Sequence, residues 1–154
     1  MSQLTKVVMD TGVIIEYVDL KGEFHEQAQT VFSTLLTGKL ENILPHPILT
    51  ETYYVAARLY HKLRMENPQL VASKLIEWLY RLPATIIPSE NTTLAIETGR
   101  AKLNHGLALT DCYVLAASKI YNCRALFKKP EREMVENTDT LKKEYQLLFL
   151  EDYK

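Results

Sequence analysis

Cysteine, excess basic charge and long apolar runs are all scarce in this sequence, and each shortage excludes a class of protein. The two cysteines, Cys112 and Cys123, form no CxxC pair and lie beside no histidine at metal-ligand spacing, so neither a disulfide framework nor a zinc site is expected. The N-terminus has no apolar signal region, and the uncharged apolar runs are far shorter than a membrane span. These absences predict a cytoplasmic protein that is neither exported nor inserted in a membrane.

The charge balance limits how the protein can contact nucleic acid. The formal net charge is −1, from 18 basic and 19 acidic side chains, which argues against binding by broad neutralisation of phosphates. Any contact with nucleic acid must therefore be local. With 47% hydrophobic and 24% charged residues the composition is that of a globular protein, and we expect one domain over residues 1–154.

Strand and helix patterns alternate along the chain. Short apolar, partly β-branched runs predict strands near residues 6–10, 42–45, 84–88, 123–127 and 146–150, and helical periodicity fills most of the sequence between them. This order predicts an α/β fold with a central, mainly parallel sheet of four or five strands flanked by helices. In such a fold, ligands bind at the carboxyl ends of the strands. The indole of Trp78, on one of the amphipathic helices, is expected in the core.

Three acidic residues occupy positions that the pattern places toward this edge. Asp10 ends the first strand, whereas Glu51 and Asp111 each lie on the apolar face near the start of a predicted helix. A single acid in a first helical turn is more often a cap or a partner of the helix dipole than a ligand. Three inward acids above one sheet edge would repel one another unless a cation neutralised them, and oxygen-only ligands suit Mg²⁺ or Mn²⁺.

The segments around the acids resemble motifs of the PIN-domain family. Residues 7–14, Val-Val-Met-Asp-Thr-Gly-Val-Ile, are similar to the opening motif of that family, residues 47–51 to its second acidic motif and residues 109–118 to its third. The resemblance implies a single PIN-like α/β/α domain in which Asp10, Glu51 and Asp111 bind Mg²⁺ or Mn²⁺ and cleave RNA. It also implies a supporting role for the Thr11 hydroxyl.

The sequence departs from the family pattern after the fourth predicted strand. A further acid is usual there, but Lys129 stands near that position, followed by Glu131 and Glu133. Glu131 or Glu133 could replace the missing ligand, with Glu131 the first candidate. Alternatively, both glutamates are ordinary first-turn residues of a helix that follows Pro130, and the lysine neutralises the acids or contacts phosphate.

These observations leave three functions to compare. The first is a Mg²⁺- or Mn²⁺-dependent endoribonuclease, the toxin of a VapC-type toxin–antitoxin pair, for which the resemblance implies an RNA substrate, a small antitoxin partner and a homodimer. The second is a catalytically weak or inactive PIN-like scaffold that binds RNA or a protein, suggested by Lys129. The third, phosphoryl transfer through Asp10, is disfavoured because Gly12 replaces the second aspartate of an Asp-x-Asp signature.

Overall fold

A five-stranded parallel sheet forms the centre of the computed structural model, which describes residues 4–89 and 91–154. The strands are β1 (Thr5–Met9), β2 (Leu40–Ile43), β3 (Thr85–Ile86), β4 (Arg124–Phe127) and β5 (Leu147–Phe149). They lie in the order β3-β2-β1-β4-β5. The registers join Val7 to both Asn42 and Arg124, which makes β1 the central strand. The predicted α/β architecture with a parallel sheet is confirmed.

Within the described ranges, eight α-helices flank the sheet. They are α1 (Thr11–Val18), α2 (His25–Leu36), α3 (His46–Lys62), α4 (Pro68–Arg81), α5 (Thr92–His105), α6 (Leu109–Ile120), α7 (Arg132–Val135) and α8 (Thr138–Glu144), and a 3₁₀ helix covers Leu150–Tyr153. The α5 helix begins and ends at residues whose types favour helix termini. The Asn91 side chain accepts a hydrogen bond from the Leu94 N–H at 2.8 Å, and Gly106 ends the helix with a left-handed φ of 68°.

The direction of the crossovers creates a crevice beside β1. From β1 the chain moves outward to β2 and β3, and it then returns to place β4 on the other side of β1. The connections that leave β1 and β4 therefore diverge, and ligand sites of open α/β sheets lie at such a switch point, outside the carboxyl ends of the strands. Asp10 follows β1 directly, and Glu131 follows β4 after a short connection.

Two sequence expectations differ from the structure. The strand expected over residues 84–88 is confined to Thr85–Ile86. The helix considered after Pro130 is present as two short helices, α7 and α8. The placement of Trp78 in the core is wrong, because this side chain is 36% exposed. Its ring lies 6.2 Å from Tyr17 and 6.1 Å from Phe32. The indole thus lies at the outer side of an aromatic stack whose inner members are 4.0 Å apart.

A buried amide fixes the end of β1. Asn42 in β2 is fully buried, and its Oδ1 accepts a hydrogen bond from the Met9 N–H at 3.1 Å. The next residue, Asp10, donates its own backbone N–H to the carbonyl of Leu126 in β4 at 2.9 Å. Neighbouring strands on both sides therefore hold the backbone at the point where β1 delivers Asp10 to the crevice.

Among the helices of the described ranges, none combines the length and apolarity that crossing a membrane requires.

Replacing the buried amide should weaken the fold measurably. In Asn42→Ala the Met9 N–H loses its acceptor inside the protein, and leaving a buried donor unsatisfied costs about 1–3 kcal/mol. We expect the free energy of unfolding in urea to fall by about that amount. Asn104→Ala, at an exposed position in the last turn of α5, is the control and should change it by less than about 0.5 kcal/mol. Equal urea midpoints for Asn42→Ala and wild type would contradict this role.

Candidate metal centre

The first candidate ligand, Asp10, is held at the junction of β1 and α1. It caps α1, with its Oδ2 accepting the Gly12 N–H at 3.2 Å, and it is only 5% exposed. Burial raises the pKa of Asp10 to about 7, although the hydrogen bond from Gly12 opposes the shift, and the charges of Glu51 and Glu131 raise it further. The Asp10 carboxyl group is therefore costly to ionise where it stands.

Asp111 enters the same crevice from the first turn of α6. It is 3% exposed, and burial raises the pKa of its carboxyl group to about 8, with further increases from the charges of Asp10, Glu131 and Glu51. One oxygen of Asp111 lies within 4.8 Å of one oxygen of Asp10, so the two carboxyl groups face one site. The sequence expectation that Asp111 points inward is confirmed.

Glu131 completes a group of three carboxylates. One oxygen each from Asp10, Asp111 and Glu131 lie within 4.8 Å of one another. Glu131 lies just before α7 and is exposed as a whole residue. Its carboxyl group is partly removed from water, which raises the pKa of Glu131. The charges of Glu51 and Glu133 raise this pKa further, and the charge of Lys128 lowers it. Of the two glutamates considered after Pro130, Glu131 is the one that the structure brings to Asp10 and Asp111.

Glu51 lies beside this group but outside it. It is half-buried in α3, and its Oε2 accepts a hydrogen bond from the Thr110 hydroxyl at 2.8 Å. Its charge raises the pKa values of Asp10, Asp111 and Glu131. The Glu51 carboxylate is thus close enough for its negative charge to act on the other three. One of its oxygens is held by Thr110 of α6.

Two buried oxygen atoms in the crevice lack a partner. Among the described residues, nothing donates a hydrogen bond to Asp10 Oδ1 or Asp111 Oδ2, although both atoms are buried. Buried polar atoms are normally satisfied, and buried charges are normally paired or bound to metal. A hard divalent cation with oxygen ligands fits this donor set, since the carboxylates present oxygen alone.

Thr11 lies behind the carboxylates at the start of α1. It is buried, and its hydroxyl oxygen accepts a hydrogen bond from Thr52 Oγ1 at 3.4 Å. This pair joins the first turn of α1 to α3, the helix that carries Glu51. The supporting role expected for Thr11 stays a prediction, now with Thr52 as the contact through which it would act.

The two lysines after β4, Lys128 and Lys129, lie outside the group formed by Asp10, Asp111 and Glu131. Lys128 Nζ lies 3.5 Å from Glu16 Oε1, and Lys129 is exposed. The Glu16 side chain is buried, and its Oε2 accepts the Phe24 N–H at 2.9 Å. Lys128 is therefore paired with an acid of α1, while its charge partly offsets the repulsion on Glu131.

Sequence reasoning missed Glu16 and the contact made by Thr110. Glu16 is three residues after Val13 on the α1 helix, so helical spacing could have placed it on the buried side. No comparable signal existed for Thr110, because its partner, Glu51, is on another helix and the contact depends on how α3 and α6 pack.

The sequence of this chain is similar to one known family. The profile of the PIN domain family matches residues 7–129. No curated protein matches the chain in sequence.

Solved structures share the fold at low identity. A toxin–antitoxin complex from Klebsiella pneumoniae has a TM-score of 0.57 and 13% identity over 83% of this chain and 89% of its own. VapBC-1 from nontypeable Haemophilus influenzae has a TM-score of 0.58 and 12% identity over 96% of this chain and 99% of its own. Mycobacterium tuberculosis VapC20, described as a toxin that cleaves the sarcin-ricin loop, has a TM-score of 0.59 and 11% identity over 84% of this chain and 93% of its own.

Most of the chain, including every segment that carries Asp10, Glu51 and Asp111, lies within the matched range, and the chain therefore belongs to the PIN domain family.

Proposed function

We propose that this protein is a Mg²⁺- or Mn²⁺-dependent endoribonuclease and the toxin of a VapC-type toxin–antitoxin pair. The observation that carries the proposal is the group of Asp10, Asp111 and Glu131 oxygens within 4.8 Å of one another. Two of these residues also bury an oxygen that has no hydrogen-bond partner in the described structure. Such a group is costly to maintain without a cation.

The side chains divide the chemistry as follows. Asp10, Asp111 and Glu131 would hold the divalent ion, and Glu51, at the edge of their group, would be the fourth carboxylate ligand. When bound there, a divalent ion lowers the pKa of a water for in-line attack on a phosphodiester and offsets charge on the phosphate oxygens. Asp10, Glu51 and Asp111 are the residues to which we assign catalysis, and Thr11 supports them.

Basic side chains at the rim support a nucleic-acid substrate. Lys129 and Arg132 are exposed on either side of Glu131, and Lys128 lies beside them. The net charge of −1 leaves no general attraction for nucleic acid, so these cations supply a local one. We assign RNA as the substrate, in keeping with the activity described for VapC20.

We also propose a protein partner. Two of the structural neighbours are described as a toxin–antitoxin complex and as VapBC-1. Ile96 and Leu103 lie seven residues apart on α5 and are 58% and 85% exposed, which supports a protein contact on that helix, either with a second copy in a homodimer or with an antitoxin. A cytoplasmic location follows from the same function.

Cleavage of RNA provides the direct test. Purified protein with a mixed-sequence single-stranded RNA should cut internally with Mn²⁺ or Mg²⁺ and not with EDTA. Removing a ligand charge in Asp10→Asn or Asp111→Asn should slow cutting by about a hundredfold or more, and Glu131→Gln should also slow it.

Asp139→Asn is the matched control, since Asp139 is an exposed aspartate in the first turn of α8. It should cut like wild type. A folded wild-type protein that binds Mn²⁺ in calorimetry but cuts no RNA would favour the scaffold function, and one that does not bind Mn²⁺ would refute the metal centre.

The carboxylates should also give metal-free protein an unusual pH dependence of stability. The folded pKa values of Asp10 and Asp111, about 7 and about 8, lie above the usual value of 3.8. At pH values between the usual pKa of 3.8 and these folded pKa values, the folded state holds more protons than the unfolded state. The unfolding free energy therefore falls as the pH rises.

We expect the unfolding free energy in EDTA to decrease by several kcal/mol from about pH 5 to about pH 8, because each of the two carboxyl groups contributes about 1.4 kcal/mol per pH unit below its folded pKa. Asp111→Asn should flatten the profile, Asp139→Asn should not, and Mn²⁺ should stabilise wild type more at pH 8 than at pH 5. A wild-type profile that rises with pH over this range would contradict the burial of ionisable carboxyl groups.

A further inference from the structure

A side-chain hydrogen bond joins the second turn of α3 to the first turn of α6. Thr110 is the second residue of α6, and its Oγ1 donates to Glu51 Oε2 at 2.8 Å. The two residues are 59 positions apart in the sequence. The bond therefore depends on the tertiary packing of the two helices. Its donor, Thr110, is the residue directly before Asp111.

Glu51 depends on this contact for its orientation. Among the residues that the structure describes, Thr110 is the side chain that donates a hydrogen bond to the Glu51 carboxylate, and no lysine, arginine or histidine forms an ion pair with it. Glutamate has several rotatable bonds, and its ordering costs side-chain entropy. Because the Thr110 hydroxyl already holds one oxygen of the Glu51 carboxylate, less side-chain entropy is lost when a cation binds.

The partial burial of the pair makes the contact effective. Thr110 and Glu51 are both half-buried, so water competes less for the carboxylate oxygen than it would at an open surface. The hydroxyl uses Oε2 and leaves Oε1 without a donor among the described side chains. Glu51 is also close enough for its charge to raise the pKa values of Asp10, Asp111 and Glu131.

We propose that Thr110 is a positioning residue that holds Glu51 toward the cation site formed by Asp10, Asp111 and Glu131, a role that rests on the proposed metal-dependent function. Residues that orient a metal-binding carboxylate through a hydrogen bond typically change metal affinity about ten- to a hundredfold when they are replaced. Thr110 touches neither substrate nor cation in this assignment and acts through Glu51 alone.

The competing explanation is that Thr110 only ties α6 to α3. A structural tie would lower the stability of the metal-free protein and would leave the affinity of the folded protein for metal unchanged. A positioning role has the opposite signature. Thr110→Val keeps the branched shape and removes the hydroxyl, whereas Thr110→Ser keeps the hydroxyl and removes the methyl group.

Mn²⁺ titration calorimetry separates the two explanations. We expect Thr110→Val to weaken Mn²⁺ binding about ten- to a hundredfold and Thr110→Ser to bind close to wild type. Thr93→Val is the matched control, because Thr93 is an exposed threonine at the equivalent second position of α5, and it should bind like wild type. Raising the Mn²⁺ concentration should restore RNA cleavage in Thr110→Val but not in Asp111→Asn.

The outcomes distinguish this inference from the proposed function. Wild-type affinity in folded Thr110→Val would overturn the positioning role and leave the metal centre intact. Equal losses in Thr110→Ser and Thr110→Val would also overturn it, since the hydroxyl would then not be the group that matters. Absence of Mn²⁺ binding in wild type itself would overturn both the role and the function, and circular dichroism of each variant establishes that folded proteins are compared.

Discussion

The arrangement of this protein depends on withdrawing the carboxyl groups of Asp10 and Asp111 from water beside each other. Both are almost fully buried, each carries an oxygen without a partner in the described chain, and burial is the largest cause of their raised pKa values. A charge in such a place is costly unless it is neutralised. Lys128, whose charge acts on Glu131, is paired with Glu16. The fold thus brings together three carboxylates whose oxygen atoms fit the ligand preferences of a divalent cation.

The sheet makes this withdrawal possible. Parallel strands are covered on both faces, so their apolar residues form a rigid support and their carboxyl ends open on one edge. Asn42 and Leu126 fix the backbone on either side of Met9 and Asp10. The hydrogen bonds at the strand ends therefore help the fold to tolerate the unfavourable burial of the carboxyl groups. Such compensation is common where function requires strained or destabilised residues.

Sequence patterns predicted the parts of the structure that depend on local periodicity. The first strand and the burial of Asp111 each follow from the periodicity of apolar residues, and each is found in the structure. The choice between Glu131, Glu133 and Lys129 could not be made, because it depends on the path of an irregular connection after β4. The contact of Thr110 with Glu51 and the exposure of Trp78 depend on how separate helices pack, which periodicity within one helix does not specify.

The central place of β1 has a consequence for the order in which the carboxylate group assembles. Asp10 directly follows β1, whereas β4 and Glu131, which complete its surroundings, come after β2, β3 and the helices that connect them. A folding chain in which β4 has not yet paired with β1 lacks one side of the site and its third carboxylate. Contacts of such long sequence separation form late because the intervening loop must first be closed. The three carboxylates therefore come together only once the two halves of the sheet are joined.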